Sequence, residues 1–134
     1  MRLLAEEEYK QMFEYVKPYC LVAPFGLNWD YIPTFKTLVI TSKNYIKCFE
    51  HKNYEVRTYE NCHAKLAIGS EGTLVGSWNW SLAHSKATKN REIVIFVEVN
   101  EPVFEQLQDW FDYTWNKARP VVLEKTITKL QDVL

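Results

Sequence analysis

The segment Glu92 to Val99, EIVIFVEV, is followed after one asparagine by Glu101 to Lys117. The first is an apolar, β-branched run of strand length. The second places Pro102 in its first turn and Phe104, Leu107, Trp110, Phe111 and Trp115 along one stripe, which predicts a packed helix. A strand that leads directly into a helix points to an α/β architecture. The rest of the chain alternates in the same way. Ala5 to Lys17 reads as an amphipathic helix with Met12, Phe13 and Val16 toward the core, ended by Pro18. Tyr19 to Phe25 and Lys36 to Thr41 read as strands, separated by a loop from Gly26 to Pro33 that holds Trp29, Asp30 and Tyr31. Ser42 is placed to cap a short helix reaching about Glu50, and Tyr54 to Tyr59 alternates as a strand does. His63 to Ile68 and Thr73 to Val75 form a hairpin closed by Gly69-Ser70-Glu71-Gly72. Residues 1–134 are read as a single domain, with 121–134 a tail or short C-terminal helix.

Composition narrows the classes. Aromatic residues make up 15% of the chain and include five Trp, so the core is rich in large rings. A net charge of -1 gives no global basic field, though a local basic face remains compatible with it. There is no apolar run of membrane-spanning length. The acidic run Glu6-Glu7-Glu8 rules against a signal peptide over Met1 to Lys17, and it suits the dipole of a helix start. Three cysteines, an odd number, argue for a reducing compartment and a cytoplasmic location.

The chemistry concentrates in His63-Ala64-Lys65, then Gly76-Ser77-Trp78-Asn79-Trp80-Ser81, then Asn90-Arg91-Glu92. On a strand, His63 and Lys65 share a face. A neutral imidazole can attack phosphorus and leave again, splitting one displacement into two. It needs a carboxylate to fix its tautomer, and Glu92 is the candidate. Lys65 would hold phosphate oxygens as a point charge, while Asn79 and Ser77 would donate hydrogen bonds. Gly76, read as part of a tight turn, would let the backbone approach the phosphate. Trp78 and Trp80 read as core or interface residues. His84, Lys86, Lys89 and Arg91 read either as a polar loop or as a basic edge for the substrate. Cys48, His51, Cys62 and His63 have the residue types of a zinc site. Adjacent Cys62 and His63 would point to opposite faces of a strand, however, so no metal is assigned.

His63-x-Lys65, Gly76-Ser77-x-Asn79 and Asn90-x-Glu92 resemble the signature of the phospholipase D superfamily. The order of elements from Tyr19 to Lys117 is also similar. The resemblance implies a mixed β-sheet flanked by helices, with one signature per chain. In that family two signatures meet on a two-fold axis, so a chain with one would act as a homodimer, as the small bacterial endonucleases do. One His63 would be the nucleophile and the partner's His63 would protonate the leaving oxygen, with no metal or cofactor. The position of the family's aspartate is Ser70 here, followed by Glu71, and the stretch from Lys65 to Gly76 is one residue shorter than usual. The expected activity is a metal-independent phosphodiesterase, a nuclease with DNA ahead of RNA and no membrane partner. The alternatives are a catalytically impaired module that binds a phosphate-bearing partner, and a lipid phosphodiesterase.

Overall fold

A computed structural model describes residues 1–81 and 91–121. Among these residues eight strands form one mixed sheet: β1 (Arg2–Leu3), β2 (Cys20–Val22), β3 (Thr37–Thr41), β4 (Tyr54–Thr58), β5 (Lys65–Gly69), β6 (Gly72–Gly76), β7 (Val94–Val97) and β8 (Arg119–Pro120). Their spatial order is β1-β7-β6-β5-β2-β3-β4-β8. β2, β3 and β4 run parallel, and the other pairs are antiparallel. Among the described residues the helices are α1 (Tyr9–Val16) and α2 (Pro102–Lys117), with 3-10 turns at Glu6–Glu8 and Lys43–Phe49. The architecture is mixed α/β, with one large sheet.

Alternation along the central strands divides the core between two faces. Leu21, Val39, Ala67 and Leu74 pack with Phe13 and Val16 of α1, and with Trp29, Trp78 and Trp80. Cys20, Val22, Ile40, Leu66 and Ile68 point the other way, onto Phe111 and Trp115 of α2. Phe13 sits among Trp29, Tyr31 and Trp80 at ring separations of 5.2, 5.0 and 5.4 Å. This is the ring-rich core that the composition implied.

Several elements are shorter than the sequence patterns predict, and the reasons are local. The strand read as Tyr19 to Phe25 ends at Val22, because Pro24 cannot donate to a ladder and Gly26 turns back with its amide on the Ala23 carbonyl at 3.0 Å. The strand read from Glu92 begins at Val94, and the one read from His63 begins at Lys65. His63 is therefore not on a strand, and strand alternation with Lys65 does not place it. Ser42 stands before the 3-10 turn, but its hydroxyl donates to the Pro24 carbonyl at 2.7 Å instead of capping. Trp110, read as packing, is 40% exposed, since the buried stripe of α2 runs through Phe111, Thr114 and Trp115, about 100° of helical turn away. The possible helix at 121–134 lies outside the described residues beyond Val121.

The carboxyl ends of the parallel strands define one rim of the sheet. Leu66 pairs with Val22, Lys65 with Gly76, and Gly76 with Val94, so β5 starts, β6 ends and β7 starts at that same rim. Arg119 pairs with Thr58, which brings the start of β8 there too.

Candidate functional site

The rim holds His63, Lys65, Ser77 and Glu92, with Asn79 two residues beyond Ser77. Their positions follow from the chain around them. Asn61 adopts a left-handed conformation with φ of 61° and turns the chain toward β5. His63 then lies exposed, two residues before Lys65, which is only 8% exposed. Phe25 stands between them. The His63 ring is 5.5 Å from the Phe25 ring, edge on, and the Lys65 ammonium is 5.3 Å from the same ring centre. Phe25 thus joins histidine and lysine into one cluster by packing. The sequence patterns put Phe25 at the end of a strand, and its role there was missed. Pro24 was the available signal, since it breaks the strand and swings Phe25 onto the rim.

Burial pushes the Lys65 ammonium below its usual pKa. The Glu92 carboxylate and the Cys62 thiol oppose that shift. Lys65 is therefore a partly desolvated cation within the field of the Glu92 carboxylate, sharing Phe25 with an exposed imidazole. Its attraction for an anion is stronger than that of a solvated lysine, because little water screens it. Burial likewise raises the Cys62 thiol, which Lys65 and an amide contact from Ala64 partly offset.

The stretch after β6 has its own alternation. Ser77 is exposed, Trp78 buried, Asn79 half-buried and Trp80 buried. Trp78 packs edge-on against Tyr9 at 4.9 Å, and the Trp80 indole donates to the Val22 carbonyl at 3.1 Å. The two tryptophans anchor the stretch in the core, leaving Ser77 exposed at the end of β6 and Asn79 half-buried between them with its side-chain oxygen buried. Ser77 is committed to backbone: its hydroxyl accepts from the Ile93 amide and its own amide donates to the Ile93 carbonyl, both at 3.0 Å. It holds the residue next to Glu92 in place, so Ser77 is a positioning residue before it is a phosphate ligand. Gly76 ends β6 and is not in a tight turn. A Cβ there would overlap the Ile93 carbonyl, so the glycine serves the close approach of Ile93.

Other predicted residues fall elsewhere. Ser70 and Glu71 form the two-residue turn between β5 and β6, since Gly69 pairs with Gly72. Five strand residues separate that turn from the rim, about 17 Å at roughly 3.3 Å per residue. Glu71 therefore cannot stand in for the missing aspartate at the site. The shortened turn leaves Lys65 directly opposite Gly76. Arg91 is exposed beside Glu92, whereas Lys86 and Lys89, with His84 and Asn90, lie outside the described residues. Among the described residues no three His, Cys, Asp or Glu side chains gather as a metal site. His51 instead accepts the Asn53 amide through Nδ1 at 3.0 Å, and Cys48 packs beneath Gly26. No helix among the described residues is long and apolar enough to cross a membrane.

No protein-family model and no curated protein matches the sequence. Among solved structures the chain is similar to TrmBL2, an archaeal chromatin protein whose structure is described as showing a novel mode of DNA binding. The TM-score is 0.59 at 14% identity, over 90% of this chain and 54% of that one. The chain thus spans about half the length of this neighbour, and the likeness is one of fold.

Proposed function

We propose that this chain is a phospholipase D-like phosphodiesterase acting on nucleic acid through His63. The observation that carries the reading is the cluster at the rim, where Phe25 lies 5.5 Å from the His63 ring and 5.3 Å from the buried Lys65 ammonium, with Glu92 acting on Lys65. Lys65 and Asn79 hold the non-bridging oxygens of a phosphodiester. The imidazole of His63 attacks phosphorus, the nitrogen–phosphorus bond forms, and the bond to the leaving oxygen breaks. The His63 of a second copy gives that oxygen its proton. Water then attacks the phosphorus, the nitrogen–phosphorus bond breaks, and the second His63 takes the water's proton. Glu92 orients the cluster, and Ser77 holds Glu92 through Ile93. One signature per chain makes the homodimer a requirement of the mechanism. No resident metal or cofactor is invoked.

A second reading, nucleic-acid binding without cleavage, is favoured by Ser70 in the aspartate position and by the fold-level likeness to a DNA-binding chromatin protein. One assay separates them. Labelled DNA and RNA are incubated with the protein in excess chelator and resolved on a gel, beside a His63→Ala variant. Cleavage that disappears with His63 supports the enzyme. Retention of the nucleic acid without cleavage supports the binding module.

A further inference from the structure

The rim carries a second polar region that the mechanism above does not use. A groove of about 550 Å³ opens over the ends of β3, β4 and β8, lined by Lys43, Thr58, Tyr59, Glu60, Lys117 and Arg119 among others. Its cations arrive from three separate elements. Lys43 opens the 3-10 turn after β3, Lys117 ends α2, and Arg119 begins β8. The carboxyl end of a helix favours a basic residue, which accounts for Lys117 alone. Arg119 follows it by two residues, but neither fact accounts for Lys43 reaching the same place from the far end of β3. Glu60 is the one carboxylate among the described lining residues, and it accepts the Lys43 amide at 3.4 Å. Neither Lys43 nor Lys117 forms an ion pair among the described residues. Exposed aromatic rings accompany these cations. Tyr59 lines the groove and is 36% exposed, and Tyr113, 64% exposed, lies with its ring centre 4.8 Å from the Lys117 ammonium.

Cations beside exposed rings at the end of a sheet are what a single strand of nucleic acid engages, with phosphates on the charges and bases stacked on the rings. We infer that the Lys43–Lys117–Arg119 groove, with Tyr59 and Tyr113, binds the backbone and bases of single-stranded nucleic acid flanking the phosphate held at His63. This rests on the phosphodiesterase reading for its polarity along the rim, not for the binding itself. From β5 to β4 there are three strand spacings, about 14 Å at roughly 4.8 Å each. That span is about four nucleotides at the roughly 3.4 Å rise of one stacked strand.

The test is anisotropy of a fluorescein-labelled oligothymidylate titrated with the full chain at rising NaCl. Lys43→Gln with Lys117→Gln should bind roughly tenfold more weakly, and its salt slope should be shallower by about 1.4, about 0.7 for each lost phosphate contact. Lys36→Gln with Lys52→Gln removes the same charge at the opposite end of β3 and β4, and should bind as the wild type does. Tyr59→Leu should weaken binding while leaving the salt slope unchanged. All these residues are on the surface, and circular dichroism checks each fold. Equal binding and equal slope for the Lys43 and Lys117 variant would overturn the groove, as would equal losses in both lysine pairs. Hydrolysis of bis(p-nitrophenyl) phosphate by the wild type in chelator tests the other reading separately. If that hydrolysis is absent, the enzyme fails while the binding result stands on its own.

Discussion

Two parts of one rim hold positive charge in opposite ways. Lys65 is 8% exposed, packed against Phe25 and opposed by Glu92. Lys43 and Lys117 are exposed on the far side of β2 and form no ion pair among the described residues. A desolvated cation is expensive to keep charged, and its position is fixed by its surroundings. A solvated cation costs little, and its interactions fade with salt. The first arrangement suits chemistry at a single phosphate. The second suits attraction of a polymer. The proposal assigns the two regions these two roles, and mutation at either can break the division.

The largest effect belongs to His63→Ala, which should lower turnover about 10⁴-fold or more by removing the nucleophile. Because His63 is exposed, its loss should change stability by no more than about 0.5 kcal/mol, as read from denaturant midpoints. A next effect, about 10²- to 10³-fold in kcat, is expected for Lys65→Gln, measured on a small diester so that the groove plays no part. Glu92→Gln should be milder than either, since it weakens orientation without removing the attacking group. If Lys65→Gln instead changes only the salt dependence of DNA binding, the contrast between buried and exposed cations collapses.

A smaller effect distinguishes the regions by pH. Lys65 has a folded pKa below the ordinary lysine value of 10.5. Between those two values the unfolded chain binds more protons than the folded one, so Lys65 contributes a rise in stability with pH in that alkaline window. Stability curves for Lys65→Met should lose that rise. An unchanged curve would mean that Lys65 is not desolvated. Smallest of all, Lys43→Ala should alter stability by no more than about 0.5 kcal/mol, a value that marks the groove lysine as free of packing duties.

What could be read from the sequence depended on how local its cause was. α2 was legible because Pro102 and the Phe111–Trp115 stripe are written within one segment. β5 and β6 were legible because the turn residues between them are adjacent. Phe25 was not, because its contact with His63 and Lys65 depends on where β2 lies beside β5, a pairing no periodicity encodes. Ser77 and Gly76 were identified, but their engagement with the Ile93 backbone depends on the β6–β7 pairing. The groove escaped for the same reason. Lys43 is far in sequence from Lys117 and Arg119, and only the order β3-β4-β8 brings it to them.

The central claim is covalent. Protein mixed with a phosphodiester bearing a good leaving group, quenched in denaturant early in turnover and digested, should yield a His63 peptide heavier by the esterified phosphoryl group. That adduct should be absent from His63→Ala. Turnover by the wild type with an unmodified His63 peptide at every quench time, or undiminished turnover by His63→Ala, would contradict it.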